Sequence, residues 1–482
     1  MPIASVLRPL ALATAIALCQ APAALASDLS VQRVWQYAHA AGGVAGQKAE
    51  IVVHDDRSDT LWVAGVVGVD VLDRASGQLV AHIDVTHLGA VNSVAIHDGL
   101  AALAIENGLD RALPGVVVFF DTRSRRQLGA PVGVGALPDM LIFTPNGRQL
   151  LVANEGTPNA GAAEDPPGSV SIVDVRTRMV TTLAIDATIP GYDSLRLFPD
   201  SLTPYGPEPE YIAVDPDGRR AHVVLQEANG IAVLNLRERR FERIYSLGQK
   251  DFGLEGNEID PDDRDGKVEL RRVPAFGLYQ PDAAVAYQHR GRSYLVMANE
   301  GDSREDEADE ARGAAYVADP DLDRLTVSTV DSVAGGPVVA FGGRSFSIRD
   351  TRGRIVFDSG SQLDRAAIES GVYPVSESNG RDERSDNKGV EPEGVALLEI
   401  EGRVLAFIGL ERALKATYAV YDVTDPHAVR HLDTIVSDGD LSPEGLTAFR
   451  VGRRHFLAVA HEVSDTTTLF ELRLERGRRH GR

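Results

Sequence analysis

Cysteine is almost absent. The only one in the 482-residue chain is Cys19, and it sits in an N-terminal stretch that reads as a removable leader. Disulfides, thiolate metal sites, a cysteine nucleophile and covalent c-type haem attachment are therefore excluded from the mature chain. Aromatic residues make up only 6% and methionine numbers 4. No run of about 20 apolar residues occurs after the leader, so no membrane-spanning helix is expected. Excess positive charge is also lacking: the formal net charge is -21 and the pI about 5.0. Such a surface repels phosphate backbones, which argues against a nucleic-acid partner and suits divalent cations. The twelve histidines show no HExxH or paired spacing, and Gly-x-Ser-x-Gly, P-loop and Rossmann fingerprints are missing.

What is present begins with the leader itself. Arg8, the apolar run "LALATAIAL" and the small-x-small site Ala24-Leu25-Ala26 read as a signal peptide over 1–26. A lipoprotein signal would want a small residue before Cys19, and Leu18 fits poorly. The chain then reads as one domain over 27–475 with a basic tail, 476–482, exported to the periplasm or beyond.

After residue 30, Val-, Ile- and Leu-rich runs alternate with turns such as "TPNGR" (144–148) and "DPDGR" (215–219). Aligning the chain on these turns exposes a repeat. Each unit starts with Pro and an acid, passes through a tight hairpin, and ends its second strand on Glu. Asp139 leads to Glu155 and Glu210 to Glu227, over 16 and 17 residues. Asp282 leads to Glu300, Glu393 to Glu411 and Glu444 to Glu462, each over 18. Weaker copies start at Glu50 and at Asn92, the latter ending on Glu106.

A third strand follows each hairpin: 68–74, 115–123, 168–176, 230–237, 354–360, 418–425 and 467–475. Seven such units predict an all-β chain, a seven-bladed β-propeller of the kind built by WD40-like repeats, rather than two β-sandwiches. "LSVQRVWQYAHA" (29–40) has no partner of its own, and is expected to be the outer strand of the last blade, closing the ring.

Hairpin geometry puts both acid positions of every unit on one face near the axis. Asp139, Glu155, Glu210, Glu227, Asp282, Glu300, Glu393, Glu411, Glu444 and Glu462 are the candidate metal ligands, with Glu50 beside them. Carboxylates about 5 Å apart repel by about 3 kcal/mol per pair at an effective dielectric near 20. The ring therefore needs protons, basic partners or a cation, and oxygen-only donors suit Ca²⁺ first and Mg²⁺ next. Arg304, Arg384, Lys388 and Arg412 lie beside the motifs and are candidates to bind phosphate; an Arg–Glu network is the competing reading. Asn154, Asn299 and Asn387 are candidates to orient ligands. Insertions 248–280, 301–345 and 360–391 join the sheets at the acidic face. Within the first, 256–270 is no EF-hand, since Pro261 and Arg272 occupy its first and last ligand positions, but an irregular acidic Ca²⁺ loop stays open there. "SREDEADEAR" (303–312) reads as a solvated acidic loop. His461 replaces the Asn of the other units and reads as a strand-end surface residue.

"LLVANEG", "DPPGSVSIVDV", "YQPDAAVAY", "YLVMANEGDSRE", "RSDNKGVEPEGV", "AFIGLER" and "LSPEGL" together resemble the choice-of-anchor I domain, over about residues 45–472. That group includes atypical alkaline-phosphatase-like proteins and mesenchyme-specific cell-surface glycoproteins. The resemblance implies an exported β-propeller, often surface-anchored, with a link to calcium and phosphate. The chain departs from it in ending on "RLERGRRHGR", which carries no sorting signal or apolar tail. Two functions stand open: a metal-dependent phosphoric-ester hydrolase, and a non-catalytic monomer binding cations, a polymer or a protein. N-terminal sequencing of the exported protein is expected to begin at Ser27.

Overall fold

The computed structural model describes residues 29–158, 165–198, 206–304, 307–373 and 382–474. The leader, the basic tail and positions 305–306 of the acidic loop lie outside the described residues. Strand dominates, and the described residues hold seven four-stranded antiparallel sheets and one five-stranded sheet.

The four-stranded sheets follow the repeat. The first runs through Ile51–Asp55, Thr60–Gly65, Gly68–Asp73 and Leu79–Ile83, each strand pairing with the next. Five further sheets begin at Val91, Pro138, Pro209, Ala284 and Pro392 and keep the same meander order. The inner strand of each sheet packs on the inner strand of the next, and Pro443–Val451 of the last sheet packs on Ile51–Asp55 of the first. Second strands such as Arg403–Leu410 and third strands such as Ala416–Asp422 are almost wholly buried, which is why they read as continuous apolar runs instead of alternating ones. Leu405, Phe407 and Tyr418 belong to the cluster that fills the space between the last two sheets.

The last sheet takes its fourth strand from the other end of the chain. Leu29–Ala38 pairs antiparallel with Thr466–Leu474, from Leu29 opposite Leu474 to Ala38 opposite Thr466. This covers an edge that would otherwise present unpaired N–H and C=O groups. His39, just beyond the strand, adds a buried latch. Its Nδ1 lies 2.7 Å from Asp70 Oδ2 in the first sheet, and its Nε2 lies 2.8 Å from Thr467 Oγ1 in the last.

Two sequence expectations need correcting. The third strand of the fifth sheet is Ser345–Asp350, and the apolar run at 354–360 supplies the fourth strand, Ile355–Asp358. "SFSIRD" alternates serine with apolar residues and so reads as a half-exposed strand, yet Ser345 and Ser347 are buried against Asn299. The insertions are also more than loops. Gln249–Asp251, Ala275–Leu278, Val338–Ala340, Thr326–Ser328 and Glu310–Arg312 form the five-stranded sheet, in which Ala275–Leu278 and Val338–Ala340 run parallel. Phe252, Val273, Leu325 and Val338 are buried in its own small core. Lys250 fastens it to the fifth sheet, with Nζ 2.9 Å from Asp358 Oδ1 and 3.0 Å from the Gly343 carbonyl. Within segment 256–270, Asp263 and Asp265 are engaged by Arg324 and Arg271.

Removing residues up to Ala38 is expected to lower the melting temperature and leave Thr466–Leu474 as an open edge. The readout is thermal unfolding combined with size-exclusion chromatography. An unchanged melting temperature without self-association would show that the strand holds nothing together.

Candidate functional site

The acids converge because the inner strands share a backbone device. Pro138 pairs with Asn154 and Leu141 with Val152, so Asp139 and Met140 together face one residue of the neighbouring strand. The same two-against-one bulge follows Pro209, Pro392 and Pro443, where it holds Glu210, Glu393 and Glu444. A bulge bends its strand and re-aims the side chains it contains. The residue before the proline is left-handed in several units: Leu137 has φ 43°, Gln280 39°, Glu391 48° and Ser442 58°. For a bulky residue ahead of proline this conformation costs on the order of 1–3 kcal/mol. It also turns the carbonyl toward the end of the second strand. Glu155 N–H donates to Leu137 O at 2.9 Å, Glu411 N–H to Glu391 O at 2.9 Å, and Glu462 N–H to Ser442 O at 3.0 Å. One strained residue thus ties together the two acid-bearing positions of its unit.

The result is a cavity of about 350 Å³ lined by eight carboxylate residues: Glu50, Asp139, Asp282, Glu300, Glu393, Glu411, Glu444 and Glu462. Arg412 is the one basic residue in its lining among the described residues. Glu155 and Glu210 stand next to it, and together with Glu208 they bring one oxygen each within 4.8 Å. Glu300, Glu391 and Glu411 make a second such group. Glu227 is 7% exposed, and its charge acts on Glu210.

Burial, followed by the neighbouring negative charges, raises most of these carboxyls. Glu50 is pushed to about 8 by burial and then by Glu444 and Glu462. Glu155 reaches about 8, through burial and then Asp139 and Glu208. Glu227 reaches about 8, through burial and then Asp302. Burial lifts Asp139 to about 6, with Arg111 opposing and Glu106 adding to the rise. Glu444 stands at about 7, raised by burial and eased by a hydrogen bond with Glu393. A carboxyl–carboxyl hydrogen bond requires a proton on one of the two. Glu210, Asp282, Glu393 and Glu411 all lie well above the ordinary range, with burial first and like charge next among the causes that raise them.

The basic candidates sit at the cavity's side and are engaged with acids. Lys388 Nζ lies 3.2 Å from Glu391 Oε2 and 3.4 Å from both Glu300 Oε1 and Asp302 Oδ1. Arg384 Nε donates to Glu391 Oε1 at 2.7 Å, Arg412 Nη2 lies 2.8 Å from Glu411 Oε1, and Arg304 Nη1 lies 2.6 Å from Glu208 Oε1. Lys388, Arg384 and Arg412 hold Glu391 below its usual value despite full burial. The asparagines lie elsewhere. Asn154 Nδ2 donates to Ser169 and Ser171, and Asn299 bonds to Ser345 and Ser347, so both serve strand-to-strand packing. Asn387 is placed by its carbonyl, which accepts Arg344 Nη2 at 2.7 Å. His461 is fully buried, not a surface residue: it bonds to Tyr418 Oη and stands 3.6 Å from Asp440.

Glu208, Glu391, Asp302 and Tyr211 were not singled out by the sequence. The first two had a signal, since "EPE" is written at 208–210 and again at 391–393. Tyr211 lines the cavity, and its hydroxyl is raised by burial and then by Asp282, Glu444 and Asp139.

The choice-of-anchor I domain model matches residues 50–426, and the chain belongs to that family. No curated protein matches it. Among solved structures it is similar to hydrazine synthase of Kuenenia stuttgartiensis, with a TM-score of 0.51 and 12% identity over 88% of this chain and 95% of that one. The Cps50 (Swd1) β-propeller domain of Myceliophteria thermophila aligns over 92% of this chain and 99% of its own, at 8% identity and a TM-score of 0.47. At such identities the likeness concerns the fold alone. The scaffold is a β-propeller of the choice-of-anchor I family, and no helix among the described residues is long and apolar enough to cross a membrane.

Raised carboxyls bind protons in the folded chain that the unfolded chain releases near pH 4 to 4.5. Their contribution to stability is therefore complete below that range and is lost as pH rises through about 6 to 8. In chelator, the melting temperature is expected to fall between pH 5 and about 8.5, and Glu50→Gln to flatten that fall. A melting temperature that rises across this interval would contradict the assignment.

Proposed function

We propose that this choice-of-anchor I protein is an exported, seven-bladed propeller, closed by its N-terminal strand, whose axial cavity binds a divalent cation, Ca²⁺ in the first instance. One observation carries the reading. Glu393 Oε2 is buried without a hydrogen-bond partner among the described residues, on a residue 9% exposed, in a cavity lined by eight carboxylates. An unsatisfied buried carboxylate oxygen among like charges is costly, and a hard cation relieves both penalties together. The donor set fits such an ion: the ionisable ligands are carboxylate oxygens, and no histidine or cysteine lines the cavity among the described residues. Glu393, Glu444, Glu411 and Glu300 would be first to hold it. The bulges fix where the carboxylates stand, so little reorganisation accompanies binding.

Hydrolysis of a phosphoric ester is the catalytic extension of the same cavity. A bound cation would there supply charge neutralisation at phosphorus. This chain's residues would contribute Lys388, Arg384, Arg304 and Arg412 as phosphate contacts and a raised carboxyl as proton donor. Each of those cations already faces a carboxylate, however, so cation binding is the reading the geometry favours.

Calorimetric titration of the metal-free protein with Ca²⁺ at pH 7 is expected to show binding with proton release, read as an enthalpy that depends on the buffer. At about 100 times Kd the ion adds about 2.7 kcal/mol of stability. Glu393→Gln with Glu444→Gln is expected to remove both effects. Absence of bound Ca²⁺ or Mg²⁺, with a melting temperature indifferent to chelator, would sink the reading. Aryl-phosphate hydrolysis that needs Ca²⁺ and is lost in Glu300→Gln and Lys388→Ala would add the catalytic step.

A further inference from the structure

The opposite face of the molecule carries a groove with the reverse charge logic. Turns far from the acidic cavity meet there: Asp215–Arg219 and Leu236–Arg239 of the fourth sheet, His289–Arg292 and Asp350–Arg354 of the fifth, and Asp425–His427 of the sixth. Between them lies a cleft of about 830 Å³ lined by Arg220, Arg292, Arg352 and Arg354 together with Tyr294 and His427. A second cavity of about 400 Å³ shares Arg220, Thr351 and Arg352 with it and adds Arg243. A third, of about 480 Å³, shares Arg220 and adds Arg219 and Arg237. Arg243 Nη2 donates to Thr351 O at 2.5 Å and bridges the fourth and fifth sheets beneath the groove.

The acids of the groove are accounted for. Asp350 is taken by Arg354 at 2.7 Å, Glu242 by Arg220 at 2.9 Å, Glu238 by Arg240 at 2.6 Å and Asp217 by Arg219 at 3.7 Å. Asp215 faces the buried His222 at 3.4 Å. Arg237, Arg292 and Arg352 are exposed and have no carboxylate within ion-pair distance among the described residues. Unmatched guanidinium groups in a continuous groove are conspicuous on a chain with net charge -21. A guanidinium group presents a rigid fork of N–H donors that matches the paired oxygens of an oxyanion.

We infer that this groove binds a linear polymer bearing carboxylate or sulfate groups, an acidic polysaccharide, with Arg292, Arg352 and Arg237 as its principal contacts. The connected cavities run across more than one sheet, which suits an extended chain better than a single small anion. Tyr294 is 5% exposed and offers no platform for stacking bases, which disfavours single-stranded nucleic acid.

The test uses the intact protein in chelator, so that its outcome is independent of the axial cation. Binding to a sulfated polysaccharide and to a polyuronate is measured at low and at high ionic strength. Binding that weakens with salt is expected, and its preference for one polymer identifies the anionic group. R292E/R352E is expected to weaken binding about tenfold or more, while R126E, the same kind of charge reversal on an exposed arginine of the second sheet, leaves it unchanged. Circular dichroism verifies that each variant folds. Failure to bind either polymer, an equal loss in R126E, tighter binding of duplex DNA, or capture by anionic lipid vesicles alone would each overturn the inference.

Discussion

Mutual repulsion among buried carboxylates is the constraint around which this molecule is organised. A small domain would relax it by letting the side chains swing into water. Here the inner strands prevent that: Asp139, Glu210, Glu393 and Glu444 are each held in a bulge behind a proline, and in three of these units the residue before the proline is left-handed. Strain of this kind persists only where the surrounding sheet over-determines it. The buried second and third strands of every unit provide that rigidity, and the acidic axis is the feature they support.

The insertions temper the repulsion on one side only. Segments carrying Asp302, Arg304, Arg384 and Lys388 come from the neighbourhood of the five-stranded sheet, and they set cations against Glu391, Glu300 and Glu208. Glu50 and Asp139, on the opposite arc, are eased by Lys48 and Arg111 respectively. The cavity is thus electrically lopsided. An ion entering it meets carboxyls raised by burial, Glu50 and Asp139, on one arc and carboxylates already bound to guanidinium and ammonium groups on the other.

The repeat was legible because Pro, an acid, a tight turn and a terminal Glu recur at nearly constant spacing, and the pairing of Pro138 with Asn154 and of Pro443 with His461 follows it closely. The convergence of the acids followed from hairpin geometry alone. Other features depended on contacts between residues distant in sequence. Ser345–Asp350 alternates serine with apolar residues, and its burial depends on pairing with Arg292–Asn299 and on Asn299 taking up its serines. The five-stranded sheet is built from segments of three or four residues, too short to show periodicity, and includes a parallel pair more than sixty residues apart. His461 looked like a surface residue because its partner Tyr418 lies 43 residues earlier. Glu208 and Glu391 were written plainly in the two "EPE" triplets; their significance came from the left-handed backbone at Glu391 and from the arginines that reach both.

The pairing of Leu29–Ala38 with Thr466–Leu474 has a temporal side as well. Leu29–Ala38 must wait for a partner far later in the chain, so its sheet cannot be completed until Thr466–Leu474 has been made. Closing a loop of that length makes the final docking slow compared with the hairpins that precede it. Until then the last sheet keeps an unpaired strand edge and Leu29–Ala38 is a free end. Docking of that one strand removes both at once, so the sheet gains its fourth strand and its edge protection in a single step.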